Sequence, residues 1–272
     1  MNSPFDMTRM PPESGFMPTP SIVLLPCLAD NYCVLLHAPS TGETIAIDAP
    51  HADTIKAALA LRGWRLSDIL VTHHHNDHTG GCQALKDHFG CTITGPQSEV
   101  ERIASLSRAV SESSPLTFDG QPVRVLETPG HTLGHVSYYF PALSIVFTGD
   151  TLFALGCGRI FEGDAASMLA SLHKITELPD DTQIYCGHEY TLSNARFAMT
   201  VEPENQALAR RFKDIETMRA AGQPTLPTTI ALEKATNPFL RTHSPNIRAR
   251  LGLAGAPDWQ VFARLRELKN KA

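Results

Sequence analysis

The sequence predicts an α+β protein, with a mixed strand-and-helix domain over residues 21–190 and a C-terminal helical domain over 191–272. Three observations carry that expectation. Short β-branched runs alternate with helix-period segments up to about residue 190. Beyond it the strand pattern stops, and "SNARFAMTVEPENQALARRFKDIETMRAAG" reads as helix broken near Pro203. The chain closes on "DWQVFARLRELKNKA", which sets Val261, Phe262, Leu265 and Leu268 on one side of a helix.

Taken in order, residues 1–20 are rich in Pro and Met without periodicity and read as a flexible tail. They hold acids and little Arg, unlike a transit peptide. "SIVLLPCLADNYCVLLHA" and "ETIAIDAP" are strands separated by turns. "ADTIKAALALRG" is a helix ending on Gly63. "LSDILVTHHH" is a short buried strand running into a loop, and Thr79 or Asp77 is placed to cap the helix "GGCQALKDHFG". Strands follow at "CTITGP", "VRVLETPG", "VSYYFPALSIVFTGD" and "TQIYCGHE", with the helix "AASMLASLHKITEL" between the last two. "QPTLPTTIALEKATNPFLRTH" reads as a Pro/Thr-rich connection.

Apolar content of 42% and charged content of 19% are ordinary for a globular chain of 272 residues. A formal net charge of −5 offers no basic field for nucleic acid. No secretory signal and no apolar run long enough to cross a bilayer is evident. The six cysteines form no CxxC pair, which points to reduced thiols. A cytoplasmic monomer acting on a small molecule is the expectation. The twelve histidines are the anomaly.

Four of them fall within "HHHNDH", His73 to His78. A lone histidine before a turn is ordinarily polar surface. Here His73 follows the apolar run "ILV", and three more polar residues also follow β-runs: His131 in "ETPGHTLGH", Asp150 in "IVFTGD" and His188 in "IYCGHE". Strand ends can converge on one edge of a sheet, where rigid scaffolds carry reactive groups. The candidates are His73, His75, Asp77, His78, His131, Asp150 and His188. They exceed the four ligands of one tetrahedral zinc and suit two ions with a bridging carboxylate. His74 should point away from its neighbours, and His135 is a candidate support behind the ligands. His37, His51, His88, His173 and His243 read as surface or core-edge residues. Gly80 and Gly81 would let the next helix start pack close beneath the ions.

"THHHNDHTGG", "ETPGHTLGHVSYY", "FTGDTLF" and "CGHEYT" resemble the metal-binding motifs of the metallo-β-lactamase superfamily. Within it, "LPCLADNYCVLL", "DTLFALGCGRIFEG", "CGHEYTLSNARFA", "NPFLR" and the terminal "RELK" resemble the glyoxalase II (hydroxyacylglutathione hydrolase) family. The likeness runs from about residue 21 to the last residue.

The resemblance implies a four-layer αββα sandwich, with two divalent ions (zinc above iron or manganese) at its edge. It implies that His73, His75 and His131 hold one ion, that Asp77, His78 and His188 hold the other, and that Asp150 bridges them. Asp77 and Asp150 are then the catalytic carboxylates, and no serine or cysteine nucleophile is needed. The implied activity is hydrolysis of S-(2-hydroxyacyl)glutathione, chiefly S-D-lactoylglutathione. The family's glutathione-contacting basic pair matches Arg266 and Lys269, and its second tyrosine matches Tyr190. Its tyrosine–lysine segment departs here, with Phe161 and Arg159 at the matching positions. Charge agrees with this, because glutathione carries two carboxylates, Arg266 and Lys269 are three apart on a helix, and Arg159 offers a bidentate fork. Two other readings are a persulfide dioxygenase with one iron, needing three protein ligands, and a non-catalytic metal-stabilised binding module.

Overall fold

The computed structural model describes residues 19–272. The tail expected at residues 1–20 lies outside them except for Thr19 and Pro20.

Two six-stranded sheets dominate. The first runs in sequence order: β1 (Ser21–Cys27), β2 (Asn31–His37), β3 (Thr44–Ile47), β4 (Asp68–Leu70), β5 (Thr92–Pro96) and β6 (Arg108–Val110). Hairpins join its first three strands; from β3 onward the pairs are parallel, which requires crossovers. These crossovers carry α1 (Ala52–Arg62), α2 (Asn76–Thr79) and α3 (Cys82–Phe89). The second sheet contains β7 (Leu116–Phe118), β8 (Gln121–Glu127), β9 (Val136–Phe140), β10 (Ile145–Gly149), β13 (Gln183–Cys186) and β14 (Thr228–Thr229). A small hairpin, β11 (Leu152–Phe153) and β12 (Gly156–Cys157), follows β10, and α4 (Ala165–Thr176) precedes β13. The remaining helices are α5 (Thr191–Val201), α6 (Gln206–Ala220), α7 (Ile230–Thr236), α8 (Pro245–Leu251) and α9 (Asp258–Asn270).

Side chains alternate across a strand, so each strand serves two cores. Tyr32, Val34 and Leu36 of β2 pack inward against Val125, Tyr138 and Phe147 of the second sheet. Cys33 and Leu35 point the other way, onto Ile55 and Leu59 of α1 and Leu85 of α3. Val146 and Ile184 on the outer face of the second sheet meet Met168 and Leu172 of α4, and with them Val261, Phe262 and Leu265 of α9. The layers are helix, sheet, sheet, helix: the expected αββα sandwich, with α9 joining the outer helical layer.

Three local expectations need correction. Neither Thr79 nor Asp77 caps α3; both lie inside the separate turn α2, and α3 starts from Gly81 without a side-chain cap. The cause is crowding: a Cβ on Gly81 would stand 2.8 Å from Ala52 N and 2.9 Å from Ala49 O, so the chain turns against α1 where no side chain fits. "VSYYFPALSIVFTGD" is two strands, broken by a 3₁₀ turn at Pro141–Leu143. The Pro/Thr-rich connection is not featureless. It adds β14 to the edge of the second sheet and then forms α7 and a 3₁₀ turn at Pro238–Leu240.

Candidate metal centre and substrate cleft

The site forms at one edge of the sandwich. β10 and β13 are parallel, and β8 and β10 are both antiparallel to β9. Their C-terminal ends therefore share an edge, and they deliver His131, Asp150 and His188 there. From the first sheet, the chain leaving β4 brings His73, His75, Asp77 and His78 to the same place.

Ligating atoms come together in three groups, each within 4.8 Å: His73, His75 and His131; His73, His78 and Asp150; Asp77, His78 and His188. Nε2 of His73 and Nε2 of His131 each stand 3.0 Å from Nδ1 of His75. Asp150 is positioned between the groups. Its oxygens lie 3.4 Å from Nε2 of His78, His131 and His188.

The outer ring nitrogens fix the tautomers. His78 Nδ1 donates to Asp48 Oδ2 (2.7 Å), His188 Nδ1 to Asp30 Oδ1 (2.9 Å) and His131 Nδ1 to the Arg159 carbonyl (2.8 Å). The Thr72 hydroxyl gives its proton to Asp48, so it accepts from His73 Nδ1 at 3.0 Å. With the outer nitrogens protonated, the Nε2 lone pairs of these four histidines all point into the centre, as metal ligation requires. Asp150 Oδ1, fully enclosed, has no hydrogen-bond partner among the described residues. Unpaired nitrogens 3.0 Å apart and an unsatisfied buried carboxylate oxygen are costly unless a cation lies between them. The residues fit divalent metal ions.

Electrostatics divides the centre. Burial keeps His73 neutral, well below the ordinary imidazole value, helped by the neighbouring rings. Burial brings His75 to about 4 and also lowers His131. For His78, burial opposes the charge, but Asp150, Asp48 and Asp77 overcome it and raise the group to about 9. His188 is raised in the same way, chiefly by Asp150. Burial works against the Asp150 carboxylate too, yet His78, His188 and His131 hold it well below the usual range.

A cleft of about 450 Å³ opens onto these atoms. His75, Asp77, His131, Asp150 and His188 form its floor, while Arg159, Phe161, Tyr190, Arg266 and Lys269 are on its walls. All five expected substrate-contacting residues are thus brought to one cavity. Phe161 is 62% exposed and edges onto His75 and His131 with ring centroids at 5.8 and 5.2 Å; Tyr190 stacks flat on His188 at 4.7 Å. The two terminal-helix cations are not equivalent. Arg266 is 6% exposed; it donates Nη1 to the Cys157 carbonyl and lies over Phe239. Lys269 Nζ is held by Ser193 Oγ and O at 2.7 and 3.1 Å.

Comparison with known proteins agrees with this arrangement. A family profile described as Metallo-beta-lactamase superfamily matches residues 31–188, and one described as Hydroxyacylglutathione hydrolase C-terminus matches residues 189–272. Hydroxyacylglutathione hydrolases of Brucella ovis and Brucella melitensis are each 55% identical over 244 residues, covering 90% of this chain and 95% of theirs. The chain belongs to the hydroxyacylglutathione hydrolase family of the metallo-β-lactamase superfamily. Among solved structures, ETHE1 from Myxococcus xanthus superposes with a TM-score of 0.65 at 25% identity, over 91% of this chain and 90% of that one. The BLEG-1 B3 metallo-beta-lactamase superposes at 0.62 and 24% identity, over 81% and 99%. The second likeness bears on the fold alone.

Of the residues that surround the donor set, Asp48, Asn31 and Gly149 were not singled out from the sequence, whereas His135 and His74 were. Asp48 is 2% exposed and tethers both Thr72 and His78; its signal was available, because "IAIDAP" ends a β-run on Asp just as "IVFTGD" does. Asn31 Nδ2 donates to Asp77 Oδ2 and to the Asp77 carbonyl (3.0 and 3.1 Å), which aims that carboxylate. His135 stands behind the ligands: its Nε2 accepts from the Asp150 amide at 3.1 Å. Gly149 makes this possible, since a Cβ there would stand 2.6 Å from His135 Nε2 and its φ is +46°. His74 points away from the centre, toward Glu99.

Proposed function

We propose that this protein is a binuclear metal thioesterase that hydrolyses S-(2-hydroxyacyl)glutathione, chiefly S-D-lactoylglutathione, to glutathione and a 2-hydroxy acid, the second step of methylglyoxal detoxification. The observation that carries the reading is one cleft with five of the seven N/O donor residues on its floor, His73 and His78 enclosed behind them, and cations from two parts of the chain on its walls. His73, His75 and His131 would hold one ion and Asp77, His78 and His188 the other, with Asp150 placed to serve both. Two zinc ions are our assignment, because mixed N/O donors without thiolate suit zinc and admit iron or manganese. When bound, the ions supply an acidified water and a Lewis acid for the thioester carbonyl.

The chain's own groups account for the rest. Asp77, aimed by Asn31 and opening onto the cleft, orients the attacking water. A thiol has a pKa of about 8.5, so the glutathione thiolate leaves without a general acid. The cysteine in the cleft, Cys157, is no nucleophile: burial pushes its thiol up to about 11 despite Arg266. The Arg159 guanidinium, with no hydrogen-bond or ion-pair partner among the described residues, grips one glutathione carboxylate, and Lys269 with Arg266 serves the other. Phe161 and Tyr190 flank the reacting group. The six free thiols, all buried, fit a reducing cytoplasm. Among the described residues no helix is long and apolar enough to cross a membrane. We take the working unit to be a monomer.

The deciding experiment compares S-D-lactoylglutathione, a simple thioester, a β-lactam and glutathione persulfide, with metal analysis of the same preparation. Rapid hydrolysis of the first with two ions per chain is expected. Oxygen consumption on the persulfide with one iron per chain would overturn the reading, as would two bound ions with no turnover of any substrate.

A further inference from the structure

One buried carboxylate outside the donor set touches the neighbours of three candidate ligands. Glu99 lies in the short 3₁₀ turn after β5 and is 2% exposed. Its Oε2 stands 3.0 Å from His74 Nδ1, and neither atom has another partner among the described residues. His74 sits between His73 and His75. The other oxygen, Oε1, accepts from the Thr132 hydroxyl at 2.5 Å, and Thr132 follows His131. The fit is tight: a Cβ on Gly134 would lie 2.3 Å from Glu99 Cγ, so the 131–134 loop admits the carboxylate only with glycine at that point.

A second brace lies farther out on the same segment. Arg102 Nη1 donates to Glu162 Oε1 at 2.6 Å, and Glu162 Oε2 accepts from the Leu133 amide at 2.9 Å. Glu162 also adjoins Phe161, on the cleft wall. The other triad is held by different groups: Asp48 and Asp30 accept from its histidines, Asn31 fixes Asp77, and Tyr32 holds Glu189 beside His188.

We propose that Glu99 is a positioning residue that holds the two loops carrying His73, His75 and His131 in register, and so sets the affinity of one ion of the pair and not of the other. The proposal rests on the two-ion reading above. Outer supports of metal ligands are typically worth about 10–100-fold in affinity. A loop-to-loop brace confined to one triad should act on that ion alone.

The test measures zinc affinity, by competition with a chromophoric chelator, for the full chain and its variants. Wild type is titrated in parallel: a single zinc there would sink the two-ion reading itself, independently of Glu99. Glu99→Ala should weaken one zinc by about 10–100-fold and leave the other unchanged. Glu99→Gln, which keeps the volume and an acceptor for Thr132, should recover most of the loss. Assignment comes from two backgrounds. In His188→Ala the remaining zinc should weaken further when Glu99→Ala is added; in His75→Ala it should not. Thr132→Val removes only the hydroxyl and should reproduce a partial loss if Glu99→Ala proves too unstable to purify. Equal weakening of both ions, or no weakening in Glu99→Ala and Thr132→Val, would overturn the proposal.

Discussion

Asp150 is buried at the cleft floor and faces imidazoles from both triads at 3.4 Å. No other described carboxylate is within reach of both, so its removal cannot be compensated locally. Asp150→Ala should lose metal and lower kcat by more than the about 10–100-fold typical of an outer support; elemental analysis checks it, and full metal content would remove the bridging role. Lys269 permits a pH prediction. Burial, with Arg266 and Arg159 adding to it, lowers the ammonium to about 8. It is charged below that pH and neutral above, so kcat/KM for the glutathione thioester should fall as pH rises through about 8. Losing a charge-assisted bond costs roughly 1.5–3 kcal/mol, about tenfold to a hundredfold. Lys269→Arg should abolish the inflection, because guanidinium stays charged. An inflection of the same size with a small thioester lacking both carboxylates would refute it.

The element that most depends on distant residues is the hairpin of β11 and β12, whose Phe153 and Cys157 line the cleft. Its turn holds Leu155 at φ +58°, a strained setting for a branched side chain. The helical region satisfies its open backbone groups. Glu233 Oε2 accepts from Leu155 N, Asn237 Nδ2 reaches the Phe153 and Gly156 carbonyls, and Asn194 donates to the Ala154 carbonyl. Asn237→Ala should orphan buried carbonyls at about 1–3 kcal/mol each and destabilise the protein measurably in urea. It should also raise KM for the glutathione thioester, because the Cys157 end that receives Arg266 would shift. Unchanged stability and KM would mean that the hairpin holds itself. Such short strands escape sequence reading because two-residue pairings show no period, and their stability comes from partners some 80 positions away.

Across the whole molecule, the outer face of the second sheet is covered by α4 and by helices of the C-terminal region. α4 meets Val261, Phe262 and Leu265 of α9, together with Phe239 and Ile247, in one cluster. The partly buried pair Glu202–Arg241 and the buried pair Arg211–Glu233 lock the late helical segments to one another. The chain should therefore unfold in a single cooperative transition, and residues 19–190 alone should aggregate, having exposed the apolar side of α4 that packs against the late helices. Two calorimetric transitions, or a folded monomeric fragment, would show that the two regions are independent.

The sequence by itself determined the layered α+β class and its helical continuation, since both are written in periodicity and in strand-ending Gly, Asp and His. It also identified the histidine run and the three later strand ends as one constellation, because so many coordinating groups after apolar runs do not arise from packing. Tertiary structure alone decided which nitrogen of each histidine points inward, since that depends on Asp48, Asp30 and the Arg159 carbonyl, acceptors brought from 28 to 158 positions away. It decided likewise that Arg266 is half committed to the Cys157 carbonyl while Lys269 rests on Ser193, and that Thr79 caps nothing. Those outcomes depend on long-range contacts and on the space left for a Cβ, and neither has a local signature in the order of residues.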